Sequence, residues 1–341
     1  MKLSRLTTSF CTTCYREIPA TISIDHAGVW MKKNCPSHGE TRAMVERDPL
    51  FYTYVMGLQS PSIYNGYFLD VTRRCNLRCE YCFYNLEQAD PLGEYSIESL
   101  LAEARTNAHN APIILTGGEP TLRPDIADVI KHISTVGPVE LLSNGTKLAE
   151  PEFFNEIMPL ITSNEGIATL NLSIHTKETS KWKEVIELAR SNGIKIESAL
   201  IVVDSRESFE SAVQICRESC DVVTCFRIKG ATSLWNETKP KEDSRIFISD
   251  MVKWLEEKSP TQIVTKGRHN KNTFINVWHA GMFLMLVSWY DVQNVDLQDI
   301  GCAPYYRARN GEIANLVTAC IINEGMEKGW LKGRKIEPLK R

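Results

Sequence analysis

Two hydrophobic periods alternate through the middle of the chain. Short continuous apolar runs such as Ile113-Ile114-Leu115 and Ala199-Leu200-Ile201-Val202-Val203 predict strands buried on both faces. They place strands at 66–72, 112–117, 138–143, 169–175, 194–203 and 222–230. Between them, apolar residues recur at i, i+3, i+4 and i+7, the stripe of an amphipathic helix. One set is Ile97, Leu100, Leu101, Ala104 and Ala108; another is Ile126, Val129, Ile130 and Ile133; a third is Trp182, Val185, Ile186 and Ala189. A sixth helix is expected at about 243–258. Strands alternating with helices imply a parallel sheet with right-handed crossovers. A closed barrel of this kind has eight strands, so six predict an α/β fold with an open, partial (β/α)6 barrel.

The pattern differs at both ends. Residues 1–48 read as a small metal-binding module, 49–65 as a connector, 66–260 as the barrel, and 261–341 as a β-containing extension on the substrate side. Within that extension, residues 262–292 read as antiparallel strands turning at Ala280-Gly281.

Composition narrows the setting. A net charge of −3 gives no general attraction to nucleic acid or to an anionic membrane. The opening residues, Met1 to Leu6, lack an apolar leader. The most apolar stretch, 275–292, is interrupted by Asn276, His279, Gly281, Ser288 and Asp291, which makes a poor membrane span. A cytoplasmic protein with no membrane partner is expected, in the host cytoplasm if the gene is viral. The 11 cysteines are an odd number, and six of them fall in two tight groups, which favours metal binding over disulfides.

The first group is Cys11-x2-Cys14 with Cys35-x2-His38. Two such pairs make a four-ligand Cys3His site for zinc or a single iron. Four protein ligands leave no open position, so the role is structural. A module this short holds little core, so bound metal is expected to supply its folding energy. The second group is Cys75, Cys79 and Cys82, on the loop that leaves the first barrel strand. Three thiolates can hold three irons of a four-iron cube, leaving the fourth open to a ligand that is not protein. Arg73, Arg74 and Arg78 would offset the negative charge of such a cluster.

Three more polar groups end the next three strands: Gly117-Gly118-Glu119-Pro120, then Ser143-Asn144-Gly145, then His175. Two glycines allow close backbone approach to a ligand, and Glu119 can accept from an ammonium group. Each is weak alone, but all four loops share the carboxyl end of the sheet, where barrels of this kind carry their active site.

The Cys-x3-Cys-x2-Cys spacing, with Tyr81 before its last cysteine, and the order of these loops resemble the radical S-adenosylmethionine (SAM) superfamily over about residues 66–230. The resemblance implies a [4Fe-4S] cluster on Cys75, Cys79 and Cys82, and SAM held by Tyr81, Gly117, Gly118, Glu119, Ser143, Asn144 and His175. It implies cleavage of SAM to a 5′-deoxyadenosyl radical that removes hydrogen from the substrate, and an electron donor such as flavodoxin or ferredoxin. The N-terminal module resembles a subgroup with the tetraether lipid synthases, proteins once described as pterin methylases, and viral thymidine-hypermodification enzymes. The first two of these are longer at the carboxyl end.

The expected substrate is a small molecule or a modified nucleobase, including an amino-acid adduct of thymidine in viral DNA, with rearrangement as the outcome. The alternatives are a methyltransferase or coupling enzyme acting on lipid, pterin or peptide, and a metal-stabilised binding protein with no reaction. Other candidates are fewer. Cys216, Cys220 and Cys225 could form an auxiliary cluster, though a helix followed by a strand would separate them. Cys302 and Cys320 stand alone. Arg227 and Lys229 alternate along the sixth strand and could face a carboxylate or phosphate. Trp278, His279, Trp289, Tyr290, Tyr305 and Tyr306 lie near the basic residues Lys266, Arg268, Lys271, Lys332, Arg334, Lys335, Lys340 and Arg341. Together these could stack a base and hold phosphates, but they read more simply as a hairpin core and a solvated tail.

Overall fold

The computed structural model describes residues 3–57, 66–79, 82, 94–161, 167–174, 181–231, 245–264, 274–288, 292–298, 305–307 and 313–327. The chain opens with a four-stranded antiparallel meander, β1 (Leu3–Phe10), β2 (Glu17–Asp25), β3 (Gly28–Cys35) and β4 (Gly39–Glu46). The β2–β3 turn is set by Asp25, whose carboxylate accepts from the Ala27 amide at 2.9 Å. Alternate residues face inward and bury Ala20, Ile22, Val29, Met31 and Val45. Helix α1 (Pro49–Gly57) adds Tyr52 to this core. The module therefore holds more apolar packing than its length suggests.

Six strand–helix units follow. The strands are β5 (Tyr67–Thr72), β6 (Ile113–Gly117), β7 (Val139–Ser143), β8 (Ala168–Ile174), β9 (Ile196–Val203) and β10 (Val223–Gly230). The helices are α2 (Ile97–Asn107), α3 (Ile126–Ile133), α4 (Pro151–Ile161), α5 (Trp182–Ser191), α6 (Arg206–Ser219) and α7 (Ile248–Glu256). All six strands pair in parallel in sequence order. The helical stripes are the buried faces: Val129 and Ile130, Val185 and Ile186, and Leu100 and Ala104 pack with Leu69, Leu115, Leu141 and Leu170 of the strands. The partial (β/α)6 barrel read from the periodicity is thus the body of the fold.

The C-terminal segment extends this sheet at both edges. Strands β11 (Thr261–Ile263), β12 (Phe274–His279) and β13 (Met282–Val287) are antiparallel to one another, and β13 runs parallel to β10. The β12–β13 hairpin turns on Ala280 and Gly281, both at positive φ (48° and 81°), the geometry a two-residue hairpin demands. At the other edge β14 (Tyr305–Arg307) pairs in parallel with β5 and antiparallel with β15 (Ile313–Asn315). Among the described residues the parallel run is therefore eight strands long, within an 11-stranded sheet.

The sheet face turned away from helices α2–α7 has its own core. Phe68 and Ile114 meet Tyr306, Ala319, Cys320, Ile321 and Ile322 of β14 and α8 (Leu316–Glu327), together with Phe10, Tyr15, Val292 and Val295. Phe10 and Tyr15 flank the first cysteine pair, so the metal module and the barrel share this packing. Polar contacts reinforce it. Asp296 holds Arg5 at 2.5 Å and accepts from the Thr7 hydroxyl. Lys33, 2% exposed, donates to the Phe10 and Val292 carbonyls at 2.9 and 2.6 Å. Among the described residues no helix is long and apolar enough to cross a membrane.

Candidate active site and metal module

The loops at the carboxyl ends of β5, β6 and β7 are joined through one carboxylate. Glu119 is 2% exposed. Its Oε1 accepts from the Thr121 amide at 3.1 Å, the Thr121 hydroxyl at 2.6 Å and the Ser143 hydroxyl at 2.8 Å, and its Oε2 accepts from the Asn144 amide at 2.7 Å. Burial pushes the Glu119 carboxyl up, and these four donors oppose that shift. Glu119 therefore ties the β6 loop to the β7 loop. Asn144 continues the connection: its Nδ2 donates to Asn76 Oδ1 at 2.9 Å, one residue from Cys75.

The two glycines have a structural cause that the sequence does not reveal. A Cβ on Gly117 would stand 2.0 Å from the Thr72 carbonyl oxygen, and one on Gly118 would stand 2.1 Å from that of Arg74. The Gly118 and Glu119 amides donate to those same carbonyls at 2.8 and 2.7 Å. The close approach is to the root of the cysteine loop, which is locked against β6. Gly117 also sits at φ 122°, open to glycine alone.

Cys75, Cys79 and Cys82 are half-buried and form no disulfide. The Leu77 amide points at Cys75 Sγ at 3.4 Å, and the Cys82 amide donates to the Cys79 carbonyl at 3.1 Å. Burial, with the Glu119 charge adding to it, pushes the Cys75 thiol up, so a metal would have to displace its proton. Three half-buried thiols on a loop whose base admits no side chain at Gly118 fit a cluster held at three corners. The arginines are placed less simply than expected. Arg74 is turned to Glu94 at 2.6 Å, while Arg78 donates to the Cys75 and Leu77 carbonyls at 3.3 and 3.0 Å. Tyr81 and His175 lie outside the described residues.

Several residues that the spacing did not single out complete the site. Arg123, 3% exposed, donates to the Val71 carbonyl at 2.7 Å and forks onto Asp125 at 2.9 and 2.8 Å, fixing the end of β5. Asn76 was hidden among the cysteines. On the inner face Glu140, Asn171 and Ser198 form a polar row that ends on Arg227, a residue the sequence did mark. Asn171 Nδ2 donates to Glu140 at 3.0 Å, and its Oδ1 accepts from Ser198 and, at 3.1 Å, from Arg227. Alternation along β7 to β10 was the available signal.

At the N-terminus the four expected ligands do converge. The metal-binding atoms of Cys11, Cys14, Cys35 and His38 all lie within 4.8 Å of one another, and among the described residues no other group gathers so tightly. Cys14 and Cys35 sulfurs are 3.9 Å apart, and His38 Nδ1 stands 3.6 and 3.4 Å from the Cys11 and Cys35 sulfurs. Tetrahedral zinc with bonds of about 2.3 Å to sulfur spaces its sulfurs by about 3.8 Å, so the donor set fits a single ion. Burial opposes ionisation of Cys11, but the Cys14 and Thr13 amides outweigh it and bring its thiol to about 6.

The remaining candidates separate from the site. Tyr306 is buried, and its hydroxyl donates to Asp70 at 2.7 Å, so its ring belongs to the inner core. His279 is 1% exposed and bonded to the Thr261 hydroxyl at 2.9 Å. Trp278 packs edge-on against Phe283 at the far sheet edge. Cys216 lies on α6, Cys220 caps that helix, and Cys225 lies on β10, the separation that argues against an auxiliary cluster. Cys320 is buried in α8. Cys302, Trp289, Tyr290, Lys266, Arg268, Lys271 and the basic residues from Lys332 onward lie outside the described residues, as does the side chain of Tyr305.

Comparison with known proteins matches this arrangement. Residues 69–218 match the radical SAM superfamily, and residues 3–47 match the HMPTM N-terminal zinc ribbon domain. Residues 69–218 thus form a radical SAM domain. The chain is 25% identical over 313 residues to the 7,8-dihydro-6-hydroxymethylpterin dimethyltransferase of Methanocaldococcus jannaschii, covering 76% of the chain and 60% of that relative. It is 30% identical over 115 residues to a probable GTP 3′,8-cyclase of Archaeoglobus fulgidus, covering 33% and 36%. It thus spans about 60% of the pterin relative and about a third of the cyclase. Among solved structures, SuiB of Streptococcus suis bound to S-adenosylmethionine aligns with TM-score 0.43 and 17% identity, over 57% of this chain and 47% of that one. A radical SAM domain implies a [4Fe-4S] cluster and SAM.

Proposed function

We propose that this radical SAM enzyme acts on a small ring-bearing substrate, a nucleobase or a related heterocycle, and rearranges or otherwise modifies its carbon skeleton. The observation that carries the reading is the Glu119 junction. It joins the Gly117–Glu119 and Ser143–Asn144 loops to Asn76 beside Cys75, so that the cysteine loop and two neighbouring loops form one continuous wall. A cluster held by Cys75, Cys79 and Cys82 would supply the one-electron reduction that cleaves SAM for hydrogen abstraction from substrate. The chain's own part is positioning. Cys75, Cys79 and Cys82 hold the cluster; the Gly118–Glu119 backbone and Asn144 orient SAM; the inner sheet face receives the substrate and keeps water from the reacting carbon. The N-terminal Cys3His set holds zinc or a single iron with a structural role, and a small electron carrier, flavodoxin or ferredoxin, supplies the electron.

Ring substrates are also suggested by the relatives, which are named for a pterin and for GTP. The pterin relative favours a second reading, methyl transfer to a heterocycle. The two are separated by anaerobic incubation of the reconstituted enzyme with deuterated nucleosides and pterins. Deuterium entering 5′-deoxyadenosine supports hydrogen abstraction and identifies the carbon; a methyl group from SAM in the product supports transfer. Cys79→Ala should abolish both the iron–sulfur absorption and SAM cleavage. Persistent cleavage in that variant would refute this assignment of the loop.

A further inference from the structure

We propose that Arg227, at the end of the inner-face polar row, forms an oxyanion subsite that grips a carboxylate or phosphate carried by the substrate. This rests on the reading above and adds a substrate class to it. On β10, Phe226 and Ile228 are buried in the core on the helix side, so Arg227 and Lys229 between and beyond them face the inner side. Arg227 is anchored rather than free to swing. Its Nη2 donates to Asn171 Oδ1 at 3.1 Å, and the Asn171 amide is fixed in that orientation by its own bond to Glu140 at 3.0 Å. Ser198 donates to the same Asn171 oxygen. The guanidinium is therefore aimed by a neutral amide.

What the row leaves undone points to a ligand. Arg227 Nε is buried and has no hydrogen-bond partner. A buried guanidinium N–H without an acceptor is costly, whereas an oxyanion can accept from two N–H groups of the planar fork at once. Lys229 stands two residues farther toward the carboxyl end of the strand. Burial, with the Arg227 charge adding to it, lowers the Lys229 ammonium to about 7, and Cys320 opposes the shift. Two basic side chains thus share one face of one strand, and Glu140, the carboxylate of the row, is engaged by Asn171.

The placement suits a substrate. Arg227 pairs in register with Leu200, and Leu200 with Ser173. On the opposite wall Ser143 pairs with Leu172. Three strand spacings of about 4.8 Å separate β7 from β10, about 14 Å along the sheet. A substrate anchored at Arg227 would extend toward the Asn144 and cysteine loops, with its reacting carbon between the two walls.

The test is titration calorimetry on the full-length, anaerobically reconstituted protein with inorganic phosphate, pyrophosphate and succinate, each with and without saturating SAM. The expected result is saturable binding of at least one probe that survives SAM, weakened about tenfold or more in Arg227→Gln and less in Arg227→Lys. Binding of the phosphates alone assigns a phosphorylated substrate; binding of succinate assigns a carboxylate. Absence of saturable binding, equal binding by a folded Arg227→Gln protein, or competition by SAM would overturn the proposal, the last because the anion held would be that of SAM itself. If Arg227→Gln fails to fold, Arg227→Lys and Ser198→Ala take its place, and unchanged affinity in both overturns the proposal. Formation of 5′-deoxyadenosine by the wild-type enzyme is measured separately, so failure of the broader functional reading is told apart from failure of the subsite.

Discussion

Single residues at this site act mainly as joints between loops. Glu119 is the clearest case, because four donors converge on one buried carboxylate. Glu119→Gln can keep an oxygen toward Thr121 and Ser143, but it then presents an N–H to the Asn144 amide, donor against donor. The expected cost is about 1–3 kcal/mol in urea unfolding, with weaker SAM binding by calorimetry. Glu119→Ala strands all four donors and should cost more. The sequence marked this position and its two glycines, and the structure gives them a physical role of a different kind. The spacing suggested that the glycines make room for a ligand and that Glu119 meets an ammonium. In the structure the glycines make room for the Thr72 and Arg74 carbonyls, and Glu119 meets its neighbouring loop. Such partners lie far away in sequence, so a motif can announce a constraint without saying what imposes it.

At the level of elements, periodicity was a dependable guide wherever an element buries one stripe or two faces. The six central strands fall within two residues of the expected bounds, the three apolar stripes lie on α2, α3 and α5, the sixth helix starts later than expected, and the β12–β13 turn falls on Ala280 and Gly281. The pairing of β13 with β10 and of β14 with β5 was not legible, because register between distant segments leaves no local period. Nor was the seam between β4 and α7. There Glu46 is buried, accepting from the Ser249 hydroxyl and the Arg47 amide at 2.5 and 2.6 Å. Burial pushes its carboxyl from 4.5 to about 7, with Asp250 adding to the shift. The folded state therefore holds this proton more tightly than the unfolded chain. Its contribution is fully present below pH 4.5 and is lost as pH rises through 7. Stability measured from pH 4.5 to 7.5 should carry a falling component on the order of 2–3 kcal/mol, and Glu46→Gln should remove it. An unchanged pH profile in that variant would show that Glu46 is ionised throughout.

Across the whole molecule, the N-terminal module is built into the barrel. Phe10 and Tyr15, on either side of the Cys11–Cys14 knuckle, pack with Phe68, Ile114, Tyr306 and Ile321, and Lys33 bridges Phe10 to Val292. Removing the metal with a chelator, or replacing Cys14 with serine, should lower the melting temperature by several degrees. It should also speed hydrogen exchange in residues 292–298 and in α8 while leaving α4 protected. A module that melts alone, with exchange in α8 unchanged, would mean that the shared core carries no coupling. The four ligands themselves were legible from two short spacings. Their docking surface was not, since Phe10 and Tyr15 look like ordinary module residues until the inner face of the sheet is in view.

The Tyr306–Asp70 bond spans 236 positions, and β14 covers the edge of β5 across a similar gap. A ribosome would therefore complete all six central strands while β5, the strand that leads into the cysteine loop, still presents a raw margin. Emergence of the later segment closes that margin by pairing Tyr305 and Tyr306 with Tyr67 and Phe68. Completion of the sheet at this edge is thus written into the order in which the polypeptide leaves the exit tunnel.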